Sequence, residues 1–85
     1  MDGTARILLF ASARTAVGRP ELDWTVPREG VPATVLAREL SARYPALAPT
    51  LRGSRFVLNG RYLTRLTARV RPGDEFAVHP PYGGG

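Results

Sequence analysis

Few side chains in this 85-residue sequence are equipped for chemistry, and their distribution directs attention to one end of the chain. There is no cysteine, which removes thiolate nucleophiles, disulfides and thiolate metal sites. The single histidine, His79, cannot build a histidine cluster, and no catalytic triad, metal cluster or phosphate-cradling loop is legible. Beyond His79 the chain reads Pro80-Pro81-Tyr82-Gly83-Gly84-Gly85. Two prolines impose a stiff, extended exit, and three glycines have no side chains to order them and the greatest backbone freedom available. At ~3.3–3.6 Å per residue, the six residues from Pro80 reach about 20 Å, enough to carry the carboxylate of Gly85 well clear of a folded body. An arm with reach and no width suits delivery of a carboxylate into another protein's site. A frayed end would also tolerate glycine, but this stretch directly succeeds a strand and is aimed outward by its prolines.

The elements that must position this arm are short. A domain of this size buries only ~60–65% of its unfolded surface, so a roomy internal active site is not expected. An apolar run over 5–11 has the length of a strand, and residues 21–26 alternate Leu22, Trp24 and Val26 with polar neighbours, a second strand. Between them, residues 12–20 have the composition of a short helix closed by Gly18 and Pro20. Thr34 stands where an N-cap is expected, and Leu36, Leu40 and Tyr44 come after it at a four-residue spacing, which predicts a helix over 35–44 ending before Pro45. Glu39 and Arg43 are spaced as a helical ion pair. Residues 45–53 read as a loop with Leu47 and Leu51 tucked against the core. Asn59-Gly60 between two strand-like runs is the pair that a type I′ hairpin turn requires. Pro72-Gly73-Asp74 is a further turn, and a last strand runs over 75–79.

Strand parity then separates the faces. If Ile7, Leu9, Phe76 and Val78 cover the helix, then Leu8, Phe10, Ala77 and His79 lie on the outer face beside the arm, with Tyr62 of the hairpin nearby. Several apolar side chains gathered on a face that should be wet suggest a protein-binding surface.

The formal net charge of +5 invites a nucleic-acid reading, but all 12 basic residues are arginines spread from Arg6 to Arg71, not clustered and not interleaved with aromatic platforms. Nucleic acid is therefore not an expected partner. No run of 18 apolar residues exists, so neither a membrane span nor a signal peptide is expected, and the expected location is cytoplasmic. The absence of lysine leaves no side-chain amine that could accept an acyl group from another copy of the chain.

The residues 7–18 (ILLFASARTAVG), 34–45 (TVLARELSARYP), 57–63 (VLNGRYL) and 72–85 (PGDEFAVHPPYGGG) together resemble the MoaD/ThiS family of sulfur carriers, most closely its molybdopterin synthase small subunits. The likeness covers nearly the whole chain, and Pro-Pro-x-x-Gly-Gly after a Gly-Asp-Glu strand is its most specific part. The resemblance implies an α+β, ubiquitin-like β-grasp fold: a small mixed sheet with one main helix packed on one face. It implies a β-grasp domain over 1–79 and a flexible tail over 80–85 carrying a reactive terminal glycine. In the family, an adenylating enzyme of the ubiquitin-activating type spends ATP on that carboxylate, here Gly85, and a sulfur donor converts it to a thiocarboxylate. The carrier itself holds no stable cofactor. It then docks on the large, catalytic subunit of molybdopterin synthase, and sulfur passes to a pterin precursor of the molybdenum cofactor. Catalytic groups are thus expected on the partner. The partner interface implied here comprises Phe10, Arg14, Tyr62, His79, Pro80, Pro81 and Tyr82, with Gly83 and Gly84 in the tail. His79 stands where an aromatic or aliphatic residue is expected, and Gly83 makes the ending a triglycine; an interface role for His79 is favoured over a catalytic base. Carriers for thiamin thiazole, cysteine, tRNA thiolation or a secondary metabolite, and ubiquitin-like modifiers, share the same fold and ending. A small basic interaction domain with an inert tail is the remaining alternative.

Overall fold

The computed structural model describes residues 2–81; the expectations placed on Tyr82, Gly83, Gly84 and Gly85 lie outside the described residues. The chain runs β1 (Gly3–Leu9), α1 (Ala11–Val17), β2 (Glu21–Val26), β3 (Val31–Pro32), α2 (Ala33–Arg43), a 3-10 turn (Pro45–Leu47), α3 (Ala48–Leu51), β4 (Arg55–Leu58), β5 (Arg61–Tyr62), β6 (Arg69–Val70) and β7 (Glu75–His79). Five strands form one sheet in the order β2-β1-β7-β4-β5, and β3 pairs with β6 in a separate ribbon. The first and last strands lie parallel at the centre, with Ile7 opposite Phe76 and Leu9 opposite Val78; the other pairs are antiparallel. The fold is α+β, a mixed β-grasp sheet, in agreement with the expectation from sequence.

Alternation builds the core. Ala5, Ile7 and Leu9 of β1, Leu22 and Val26 of β2, Phe56 of β4, and Phe76 and Val78 of β7 are buried on the helix side. Leu36 and Leu40 of α2, Ala13 of α1 and Leu47 share that core, and the Phe56 and Phe76 rings stack across it at 5.3 Å. The hairpin forms as its Asn-Gly pair requires, with Asn59 at φ 49° and Gly60 at φ 83°. Asn59 also ties the hairpin to the start of β7. Its Nδ2 donates to Asp74 Oδ1 at 3.0 Å, and its Oδ1 accepts the Glu75 N–H at 2.8 Å.

Several local expectations are corrected. The first strand ends at Leu9, because Phe10 and Ala11 turn the chain into α1. Thr34 does not cap α2, which begins at Ala33. The first-turn N–H groups of Ala33 and Thr34 instead donate to the carbonyls of Ala68 and Leu66, at 2.8 and 3.0 Å, so a distant loop does the work of a side-chain cap. The helix stops at Arg43, one residue short of the expected end. Glu39 does not pair with Arg43: its Oε1 accepts the Trp24 indole N–H at 3.1 Å, tying edge strand β2 to the helix, while the Arg43 guanidinium lies over the Tyr44 ring. Residues 45–51 are helical turns rather than loop. Pro45 and Pro49 each fall in a first turn, where a missing N–H leaves nothing unsatisfied, and Leu47 is buried with Leu51 packed against the core. The β3–β6 ribbon, two residues on each side, is too short to leave a periodic trace in the sequence.

Candidate functional site

Register assembles the outer face row by row. Leu8 of β1 lies opposite Ala77 of β7, Ala77 opposite Val57 of β4, and Val57 opposite Tyr62 of β5. These four residues therefore form one row across the sheet, on the side away from the helices. Further along β7 comes His79, opposite Arg55 of β4. Phe10 continues the alternation of β1 in extended backbone, with φ −118° and ψ 152°, and so joins the outer face. The chain can then turn into α1 because Ala11 takes up φ 49°, a left-handed conformation uncommon for a residue with a side chain.

An aromatic ladder results. Phe10 and His79 stack at 4.4 Å between centroids and 18° between planes; Tyr62 stands tilted against His79 at 6.4 Å; the Arg55 guanidinium lies 5.8 Å above the Tyr62 ring. These residues come from the end of β1, the end of β7, the hairpin and β4, and only the sheet brings them together. They remain open to solvent: Phe10 is 42% exposed and Tyr62 62%, while His79 is half-buried between them. Large aromatic rings left this accessible, next to arginine, have the composition of a protein-recognition surface. The other end of the same outer face is polar, with Arg6 Nε 4.0 Å from Glu21 Oε2 in an exposed ion pair.

The exit of the last strand is part of this arrangement. Pro80 comes directly after His79 and is half-buried, and Pro81 lies beside Gly53, where an added side chain would meet the proline ring at 3.9 Å. Of the residues expected at an interface, Phe10, Tyr62 and His79 are thus brought together, with Pro80 and Pro81 adjoining them. Arg14 is exposed one helical turn beyond Phe10 and makes no side-chain hydrogen bond or ion pair among the described residues. Tyr82 lies outside the described residues.

Sequence reasoning missed Arg55 and Val57. Val57 could have been found, since a two-residue Asn-Gly turn sets Leu58 opposite Arg61 and hence Val57 opposite Tyr62. Arg55 could not, because its place beside His79 depends on β4 pairing with β7, a contact that closes over both β5 and β6. Two open concavities, of 440 and 360 Å³, are lined by Arg19, Trp24, Arg43 and Tyr44 and by Thr4, Arg6, Asp74 and Glu75 respectively, away from the ladder. No group of three or more His, Asp or Glu side chains among the described residues could hold a metal ion, and no helix among them is long and apolar enough to cross a membrane.

Comparison with known proteins agrees with this architecture along the whole chain. The "Molybdopterin synthase sulfur carrier subunit" of Dictyostelium discoideum is 30% identical over 86 residues, covering all of both chains. The protein of the same name from Arabidopsis thaliana is 35% identical over 80 residues, covering 94% of this chain and 81% of that one. In structure, a "putative molybdopterin converting factor, subunit 1" from Pyrococcus furiosus superposes with a TM-score of 0.81 at 23% identity, covering 94% of this chain and 99% of that one, which supports the fold. The model of the ThiS family matches residues 7–85, from the first core strand through the aromatic ladder to the triglycine, and this chain therefore belongs to the ThiS family.

Proposed function

We propose that this protein is the sulfur-carrier subunit of a molybdopterin synthase. The observation that carries the reading is the end-to-end likeness to the Dictyostelium carrier subunit, with no part of either chain left over. The open aromatic ladder at the root of the C-terminal segment supports it from the side of the structure. A chain that only supplies an activated group needs a recognition face and an arm, and has no need of a pocket.

In this reading the working atom is the carboxyl carbon of Gly85. A carboxylate is a poor acyl donor. Transfer of an adenylyl group from ATP by a ubiquitin-activating-type enzyme turns its oxygen into a good leaving group. Attack by sulfur then forms a C–S bond, breaks the C–O bond to the adenylate and leaves a thiocarboxylate. Gly83, Gly84 and Gly85 present no side chain that would hinder attack at that carbonyl or passage through a narrow channel. Phe10, Tyr62, His79, Pro80, Pro81 and Tyr82 seat the carrier on the large subunit, with Arg14 also in contact. The large subunit then supplies the acid–base and substrate-binding groups for sulfur transfer to the pterin precursor.

The test is an incubation of the protein with ATP, its adenylating enzyme and a sulfur source, read by intact mass. The carrier should gain the mass difference between sulfur and oxygen, and the product should then support molybdopterin formation with the large subunit. A chain that acquires sulfur but cannot serve the large subunit would move the reading to a carrier for another acceptor. One that is found joined through Gly85 to lysines of other proteins would move it to a modifier.

A further inference from the structure

An activated carboxyl on a slender arm is exposed to every nucleophile that the arm can reach, and the nearest ones belong to its own domain. Pro81 runs beside Gly53. Arg52 is the neighbour of Gly53 and Arg55 is the register partner of His79, so both stand at the root of the arm, and both are exposed. At ~3.5 Å per residue, the four residues beyond Pro81 span about 14 Å, which brings these two positions within reach. Neither is a lysine, and no lysine or cysteine occurs anywhere in the sequence.

We propose that this arginine-only collar, Arg52 above all, keeps the activated carboxyl from being captured by the chain's own side chains. The proposal rests on the carrier reading above. An amine in this place would attack the acyl adenylate: a C–N bond would form from the lysine nitrogen, the C–O bond to the adenylate would break with AMP taking the electron pair, and the ammonium proton would pass to solvent. The amide so formed would end the chain's use as a carrier. A guanidinium has the same positive charge but stays protonated at any physiological pH, with no free lone pair for the attack. The other candidates near the exit are weak. The Ser54 hydroxyl donates to the Thr50 carbonyl at 2.6 Å, and the His79 imidazole is stacked on Phe10, where an acyl-imidazole would in any case pass its acyl group on to water. Arg55 has a second reason to be arginine in its stacking on Tyr62. Arg52 has none: its side chain makes no hydrogen bond or ion pair among the described residues.

Geometry makes the proposal specific to position. Arg28 lies in the turn after β2, at the end of the sheet where Val26 faces Gly3, whereas the arm leaves from the end where Val78 faces Leu9. The length of β1 and two strand spacings put Arg28 on the order of 25 Å from the exit, beyond the about 14 Å spanned by the four residues past Pro81 even with a lysine side chain added.

The experiment uses the full chain carrying a C-terminal thioester, made by thiol cleavage of an intein fusion, so that the acyl carbon is activated whether or not an adenylating enzyme acts on it. Wild type, Arg52→Lys and Arg28→Lys are held in mildly alkaline buffer and followed by intact mass and peptide mapping. Arg52→Lys should accumulate a monomer lighter than the free acid by one water, with Gly85 joined to the new lysine. Wild type and Arg28→Lys should decay by hydrolysis alone. The proposal is overturned if Arg52→Lys also only hydrolyses, at the wild-type rate, or if wild type forms the same dehydrated monomer. It is overturned in its positional part if Arg28→Lys cyclises as readily as Arg52→Lys. Failure of the carrier reading itself would register separately, as no thiocarboxylate on wild type after incubation with ATP, the adenylating enzyme and sulfur.

Discussion

The two sides of β7 meet opposite demands within five residues. Phe76 and Val78 point into the core and are fully buried; Ala77 and His79 point the other way, toward the aromatic ladder. The inner pair faces complementary apolar side chains that the chain supplies itself, so its burial stabilises the fold. The outer side has two large rings left in water, a cost that a monomer accepts only where something else is to cover them. The difference separates what the strand does for folding from what it does for recognition, residue by residue.

The largest way to break that comparison is on the inner side. Phe76→Ala removes a fully buried ring at the centre of the sheet and should cost about 3–5 kcal/mol, read as a lower midpoint in chemical denaturation. In a domain this small, that approaches the whole stability. A loss well under this would mean the sheet can collapse around the gap.

The outer side should behave in reverse. Phe10→Ala and Tyr62→Ala should shift stability by less than ~1 kcal/mol, because Tyr62 is 62% exposed and Phe10 42%, and neither ring belongs to the core. Each should weaken binding to the large subunit at least about tenfold, some 1.4 kcal/mol, by calorimetry. Unchanged affinity in both variants would remove the ladder from the interface.

A smaller effect tests what keeps the faces in register. Asn59→Ala loses the hydrogen bonds to Asp74 and Glu75 as well as a residue suited to positive φ, and should cost about 1–2 kcal/mol by denaturation. Asn59→Gly keeps the turn and loses only the bonds, so it should be the milder of the two. Equal costs would assign the whole effect to the clamp.

The smallest expected change has the opposite sign. Ala11 turns the chain away from Phe10 in a left-handed conformation that glycine adopts freely, so Ala11→Gly should raise stability or leave it level, by at most about 1 kcal/mol. A clear loss would show that the methyl group packs usefully where the strand becomes a helix.

How much of this was legible depends on the range of the interactions. The hairpin, the Gly18 terminus of α1, β2 and β7 were readable, because Asn-Gly, a closing glycine, the alternation of Leu22, Trp24 and Val26, and the Pro-Gly-Asp turn before β7 act over neighbouring residues. Where a distant partner intervened, local reading failed. Thr34 looked like a cap, but the carbonyls of residues 66 and 68 took that role; Glu39 looked paired with Arg43, but the Trp24 indole reached it from the sheet. At the site, parity alone put Leu8, Phe10, Ala77 and His79 on one face. It was silent about Arg55, and about whether the rings would touch.

The amino-acid order determined by itself the inventory: no thiol, no amine side chain, one imidazole, and a proline-led glycine ending behind a strand whose alternate residues are apolar. Those are covalent facts and short-range steric preferences, and no folding is needed to know them. Only the tertiary structure decided that Phe10, Tyr62, His79 and Arg55, far apart along the chain, would meet at the root of that ending. They meet because burying Ile7 and Leu9 beside Phe76 and Val78 sets the first strand parallel to the last, and that register leaves their neighbours stacked on the opposite side.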